Sequence, residues 1–430
     1  MAALLLPAVL SAGTVALWAT AWLPEYLVAL LFFAAATVLH VAPAELVFSG
    51  FASAAFWLVL SGFVLGAAIR KVGLADRAAR LLAARLSGSW PRLAGGVVLL
   101  TYALAFVMPS NMGRIAVLMP VVMALADQAG LAPGSRGRTG LALAVGFGTF
   151  QLSTSILPAN VPNLVMAGAA ETAYGVHFAY LPYLLLHAPV LGLLKGAVLA
   201  ACIVRLFPAR PRPIGVPAPA GPLSPAERRL GLLLLVTLLL WMTDALHGIQ
   251  PAWVGLAAAC MCLLPRVGFL SGDEFAAGVN FRTCIYIAGI LGLAALVARS
   301  GLGGLLGRGL VAVAPLDPGT PFQSFASLVG ITALLNFVVT ANGVPALFTP
   351  LAHTLADASG LPLLTVLMAQ VIGYGAPVLP YQASPIVVAM GMGGVPARDG
   401  ARLCLAMAAV TFALLVPLDY LWFVLLKMIA

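Results

Sequence analysis

Four short polar breaks interrupt otherwise apolar sequence. Met108-Pro109-Ser110-Asn111-Met112-Gly113 lies within the apolar stretch 93–128. Val339-Thr340-Ala341-Asn342-Gly343-Val344 lies within 321–357. Pro158-Ala159-Asn160-Val161-Pro162-Asn163 and Pro380-Tyr381-Gln382-Ala383-Ser384-Pro385 interrupt 139–169 and 361–392. Each combines hydroxyl or carboxamide groups with Gly or Pro, so each should free backbone carbonyls and start a new helix. Such oxygens suit a hard cation such as sodium, while the N–H groups at a helix start suit an anion. One break can hold a coupling ion and a substrate together. Turn chemistry alone explains any single break; four in matched positions point to function.

Ionisable residues in apolar stretches form a second set. Arg114 follows Asn111 by three residues, and a charge at membrane depth is a functional hypothesis by default. Either its guanidinium meets a carboxylate, sulfonate or phosphate of a substrate, or it snorkels or caps backbone carbonyls. Lys195 contacts an anion, pairs within the scaffold or snorkels. Asp419 is expected near the outer interface, and His187 and His353 are expected to be satisfied histidines rather than proton carriers. No Asp or Glu lies in any break, which argues against a sodium/proton antiporter. No nucleophile–base or metal-ligand cluster and no GxxxxGK[ST] motif appears, so the chain is not expected to be an enzyme or a primary pump.

These residues need a membrane around them. The chain has 430 residues, 62% of them hydrophobic and only 8% charged, against about 25% charged in soluble domains. That excludes a soluble enzyme, a disulfide scaffold and a disordered chain. Apolar runs of helical length exclude an outer-membrane barrel. The net charge of +9 comes mostly from basic residues flanking apolar runs, the footprint of cytoplasmic loops rather than of nucleic-acid binding. Cys202, Cys260, Cys262, Cys284 and Cys404 lack metal spacing and read as small core residues. The first apolar run has no basic residues before it and reads as a retained span.

A span needs about 20 apolar residues. Candidates are 3–19, 26–42, 52–69, 139–169, 179–206, 230–246, 251–265, 283–298, 361–392 and 400–426, besides the two interrupted stretches. Arg70, Lys71, Arg77, Arg80, Arg85 and Arg92 precede the stretch 93–128, and Arg136 and Arg138 follow it. Both its ends are therefore cytoplasmic, and it reads as a re-entrant hairpin. Both chain termini are expected outside.

Short sequences recur. Val72-Gly73-Leu74 returns as Ser300-Gly301-Leu302. Leu125-Ala126-Asp127-Gln128-Ala129-Gly130-Leu131 returns as Leu355-Ala356-Asp357-Ala358-Ser359-Gly360-Leu361, and Pro120 as Pro350. The expected architecture is an all-α polytopic membrane protein of two inverted repeats of five spans, each with a re-entrant helical hairpin and a broken helix. Residues 1–206 form the first repeat, with the cytoplasm-facing hairpin 93–128. Residues 207–229 form a cytoplasmic Pro/Arg-rich linker. Residues 230–430 form the second repeat, with the outward-facing hairpin 321–357. Inverted repeats with broken helices are a transporter signature.

The breaks resemble the motifs of the divalent anion/sodium symporter family, within the ion transporter superfamily of inverted-repeat carriers. That family carries Ser-Asn-Thr at each hairpin tip and a Gly-Thr-Pro-Pro-Asn-like sequence in each broken helix. Ser110-Asn111 matches the first tip, with Met112 in place of Thr; Asn342 matches the second, with Ala341 and Gly343 for Ser and Thr. Pro162-Asn163 and Pro385 match the broken helices. The resemblance covers about 26–426. It implies a homodimer of scaffold and transport domains in the lipid bilayer, an elevator motion, and two sodium sites flanking one anion site. The expected substrate residues are Ser110, Asn111, Met112, Arg114, Asn160, Asn342, Gly343, Ala383 and Ser384. The expected sodium residues are Ser110, Asn111, Ala159, Thr340, Asn342 and Gln382. The expected function is sodium-coupled symport of a small carboxylate or oxyanion, with no other cofactor. The alternatives are an anion exchanger, a metalloid-oxyanion or cation antiporter, and an ion channel.

Overall fold

In a computed structural model the described residues are 2–20, 22–74, 77, 89–212 and 221–429. Arg80, Arg85 and residues 213–220 of the linker lie outside them. The described residues form helices and connecting turns, with no strand among them.

The longer helices are α1 (Ala2–Thr20), α2 (Glu25–Val38), α3 (Ala54–Val72), α4 (Trp90–Ala105), α5 (Asn111–Gln128), α6 (Arg136–Gln151), α7 (Val161–Tyr174) and α8 (Tyr180–Leu206). They continue as α9 (Pro225–Met242), α10 (Pro251–Leu263), α11 (Phe281–Arg299), α12 (Leu302–Val311), α13 (Pro321–Val338), α14 (Val344–Ser359), α15 (Leu363–Tyr374), α16 (Ser384–Gly393) and α17 (Ala397–Leu425). Among the described residues, α3, α8, α11, α13 and α17 are each long and apolar enough to cross a membrane alone. The others are shorter or less apolar, and α14 and α15 meet at a bend of 118°.

The interruptions have local causes. Ser110 caps α5, its hydroxyl accepting from Gly113 N, which satisfies an otherwise orphaned donor. Asn160 and Ala383 are extended residues before α7 and α16, and a proline occupies the first turn of each, where its missing N–H costs nothing. Helices α8 and α17 each pass through a π-helical turn, at Ala188–Leu194 and Thr411–Leu415. Left-handed glycines stop or start helices in pairs: Gly73 with Gly301, Gly130 with Gly360, Gly175 with Gly394. The first two pairs fall within the recurring sequence motifs. Only glycine adopts that conformation without strain.

Helices approach closely through small residues, as apolar helices in lipid must. A Cβ on Gly289 would sit 2.5 Å from Ala29 Cβ, and one on Gly292 would sit 2.3 Å from Val47 O. Thus α11 lies flat against α2 and the short helical turns after it. In the same way α10 packs on α3, α13 on α15, and α16 on both α5 and α6.

The two broken helices are stitched to each other. Tyr374 Oη, at the end of α15, donates to Asn163 Oδ1 in the first turn of α7 at 2.8 Å. Asn163 Nδ2 in turn donates to Thr154 O and Ile156 O, both at 3.0 Å, within the first break. Tyr374→Phe removes one neutral bond and keeps the ring, so a loss of about 1 kcal/mol of stability is expected. The thermal midpoint of the purified variant measures it.

Candidate functional site

A cavity of about 100 Å³ lies where the breaks converge. The first tip contributes Pro109, Ser110, Asn111 and Met112. The second tip contributes Asn342, α7 contributes its first residue Val161, and α16 contributes its first residues Ser384 and Pro385. Helices α2, α3 and α11 close the opposite wall with Glu25, Phe63, Thr283 and Tyr286. That volume holds a handful of water-sized groups, so it fits a small solute. Three helices of ten or more residues (α5, α7 and α16) start at its edge. Their first-turn N–H groups have no intrahelical acceptor and their dipoles are positive there. The wall suits an anion.

Behind the cavity the first tip is locked to the first broken helix. Asn111 Nδ2 donates to Asn160 Oδ1 at 2.8 Å, and Asn111 Oδ1 accepts from Ser153 Oγ at 3.3 Å and from Arg114 Nη2. Asn160 Nδ2 donates to Phe150 O. Arg114 is fully buried. Its guanidinium donates to Met108 O, Asn111 Oδ1, Thr149 O and Ala159 O. Of the two roles the sequence leaves open for Arg114, the geometry is that of a carbonyl cap. The side chain does not line the cavity, which departs from its expectation as a substrate partner.

The second tip is tied to the second break by Ala341 N donating to Gln382 O at 2.9 Å. Gln382 Oε1 accepts from Val378 N and Leu379 N, at 2.6 and 2.8 Å. Gln382 thus closes its own break, with Ala383 buried beside it. Thr340 and Gly343 line a separate hollow of about 10 Å³, on the other side of Tyr286. Ser110, Asn111, Met112, Asn342 and Ser384 therefore meet in one cavity. Ala159, Asn160, Gln382 and Ala383 stand behind it, and Thr340 and Gly343 stand beside it.

Several residues at the site carry no motif. Arg70, at the end of α3, reads in sequence as an ordinary basic flank. A Cβ on Gly113 would lie 3.0 Å from Arg70 Nη1 and 3.2 Å from Ser110 Oγ, so guanidinium and hydroxyl face one small gap. Tyr286 separates the two hollows, and Glu25 stands exposed on the lip.

The other buried ionisable groups lie elsewhere. Lys195 Nζ donates to Gly375 O at 2.7 Å. Asp419 is fully buried within the protein, and neither of its oxygens has a hydrogen-bond partner among the described residues. His187 is likewise buried with both ring nitrogens unpartnered among the described residues, unlike the satisfied histidine expected. His353 is exposed and pairs with Asp357. Among the described residues no His, Cys, Asp or Glu cluster could hold a metal.

The family model for the sodium:sulfate symporter transmembrane region matches residues 2–429. The chain belongs to the sodium:sulfate symporter family. As a member it is a membrane-embedded, multi-pass transporter and not an enzyme. It is similar to the L-tartrate/succinate antiporter of Escherichia coli K12, with 26% identity over 391 residues, covering 87% of this chain and 79% of the antiporter. A membrane protein of Cupriavidus necator is 24% identical over 382 residues, covering 85% of this chain and 74% of that protein. Among solved structures, the YdaH transporter of Alcanivorax borkumensis superposes with a TM-score of 0.54 at 15% identity, over 88% of this chain and 86% of that one. MtrF of Neisseria gonorrhoeae does so with 0.52 at 15% identity, over 87% and 82%. At that identity the two structures speak for the fold of this family member and nothing more.

Proposed function

We propose that the chain carries a small carboxylate or oxyanion across the membrane, with the anion seated between the two hairpin tips. The observation that carries this reading is the convergence of three helix starts with Ser110, Asn111, Asn342 and Ser384 on one small cavity. Fixed N–H groups and hydroxyls bind an anion without a full counter-charge. Arg70 does not line the cavity, but its guanidinium lies near the start of α5 at Gly113 and adds positive potential on the α3 side.

The paired left-handed glycines, paired π turns and paired breaks support two repeats of opposite orientation, 1–206 and 230–430, joined by the linker 207–229 on the cytoplasmic side. In this reading α2, α3 and α11 form a fixed wall. The hairpins and broken helices move past it as an elevator, in a homodimer. The linked tip and break, Asn111 with Asn160 and Ala341 with Gln382, would travel as units.

Two couplings fit. Sodium symport is supported by the family's description and by the oxygen-rich tips. Exchange of one anion for another is supported by similarity to L-tartrate/succinate antiporters and by the capture of first-break oxygens by Arg114. Uptake of labelled succinate, tartrate and sulfate into proteoliposomes tests the function, with and without internal anion and with sodium or choline outside. Saturable uptake of at least one is expected. Arg70→Gln should weaken apparent affinity by about three- to tenfold, the effect of a nearby charge that makes no direct bond to the anion, with little change in maximal rate. Conductance without saturation, or an unchanged affinity in Arg70→Gln, would contradict the site as described.

A further inference from the structure

Two buried basic side chains remain that the anion site does not use, and each is aimed at the carbonyl end of a half-helix. Arg114 is fully buried and directs its guanidinium at four uncharged oxygens: Met108 O at the first tip, Asn111 Oδ1, Thr149 O and Ala159 O. Thr149 lies in the last turn of α6, the half-helix that ends at the first break. Lys195, also fully buried, donates to Gly375 O, directly after α15, the half-helix that ends at the second break. Asn336 Nδ2, on the hairpin arm α13, donates to the neighbouring Gly373 O at 3.3 Å.

The carbonyl end of a half-helix carries a partial negative charge and freed oxygens. In broken-helix carriers, that is chemistry for a hard monovalent cation. Around Arg114 the acceptors are all neutral, so they balance no more than a fraction of a charge. A side chain that merely needed a counter-ion would be paired with a carboxylate. The arrangement instead resembles a coordination shell of neutral oxygens filled by a planar, permanently charged group on a tether.

We propose that Arg114 and Lys195 are built-in cations that occupy the cation seats at the two breaks, so that this carrier binds and moves its anion without a dissolved coupling ion. The protein then works as an anion exchanger. In an empty carrier the charge of Arg114 is left without a counter-charge, while Lys195 lies within electrostatic reach of the buried Asp419; a bound anion offsets the charge of Arg114, so the loaded form crosses more readily. This rests on the reading of the chain as a small-anion carrier and decides its coupling.

The test uses the full chain. Wild-type protein in proteoliposomes preloaded with succinate should exchange labelled succinate at the same rate, within about twofold, in sodium and in choline. In detergent, saturation with radioactive sodium should give less than one bound ion per chain. Exchange at least tenfold faster in sodium, or one or more sodium ions bound per chain, would overturn the proposal. Arg114→Ala empties the first seat. Its exchange should fall at least tenfold in choline and recover several-fold on adding sodium or guanidinium ions. Wild-type rates for this variant in choline would overturn the proposal. Should Arg114→Ala not fold, Lys195→Ala with methylammonium rescue takes its place, read in the same way beside the wild-type sodium measurement. Failure of wild type to exchange any of succinate, tartrate and sulfate would count against the anion site. Sodium binding is read without that activity and so separates the two failures.

Discussion

Asn111→Ala is expected to reduce anion transport at least about 100-fold while the helices stay in place. Asn111 both lines the cavity and holds the tip to the broken helix. Its amide donates to Asn160 Oδ1, and its oxygen accepts from Ser153 and from the buried Arg114. Removing it deletes two neutral bonds and one to a charged group. It also leaves buried partners unsatisfied, at a cost of about 3–5 kcal/mol local to the tip. The packing of α5 on α6 and α16 does not involve this carboxamide, so the loss should fall on the geometry of the tip. Transport at matched protein amount, with circular dichroism and gel filtration as controls, checks both halves. Asn111→Asp sharpens the result. The carboxylate keeps Arg114 satisfied but has no donor for Asn160 Oδ1 and brings a negative charge to the anion cavity, so stability should fall less than in Asn111→Ala while anion affinity is lost. An Asn111→Asp protein that binds anions as wild type does would argue against an anion at this tip.

Gly373→Ala is expected to give one of the larger losses of stability among single methyl additions. A Cβ there would meet Thr332 Oγ1 at 1.9 Å, Val329 O at 2.6 Å and Thr332 Cβ at 2.8 Å. Two of these belong to backbone or to a β-branched stem that cannot swing away. Helix α15 therefore cannot take the methyl without moving off α13. Overpacking of this kind costs about 1–3 kcal/mol, and more where backbone is struck, so about 3 kcal/mol is expected. Because α13 is an arm of the second hairpin and α15 ends at the second break, the displacement would also misplace Asn336 and the Gly375 carbonyl. Thermal midpoints of Gly373→Ala, Thr332→Ala and the double variant form a cycle. Part of the loss should return in the double variant, since the hydroxyl contact is gone and the clash with Val329 O stays. A Gly373→Ala protein as stable as wild type would mean that α13 and α15 are not in close contact.

The all-helical, polytopic class is legible in the composition, because 62% hydrophobic residues in runs of helical length admit no other fold. The breaks are legible because Ser-Asn and Asn-Gly beside proline cannot continue a helix. Other parts of the site are hidden by their ordinariness. Thr283 and Tyr286 look like any residues of an apolar helix, and they reach the cavity only because α11 crosses the tips. Arg70 looks like a span flank, and its place beside Ser110 depends on a contact between α3 and α5 that no local pattern encodes. Arg114 is conspicuous in sequence, yet its role is set by carbonyls of Thr149 and Ala159, distant along the chain. Backbone oxygens leave no trace in residue type. The same holds for Lys195, whose acceptor Gly375 lies in the other half of the protein.

The most direct test of an anion seated between the tips is ligand-induced stabilisation. The thermal midpoint of purified wild-type protein is measured with succinate, tartrate or sulfate against chloride at equal ionic strength, alongside Ser384→Trp, which fills the cavity. A ligand that binds only the folded state raises the midpoint by mass action. At least one dianion should raise the wild-type midpoint by several degrees and leave that of Ser384→Trp unmoved. An equal rise in both proteins would contradict the account, because it would put the anion somewhere other than this cavity.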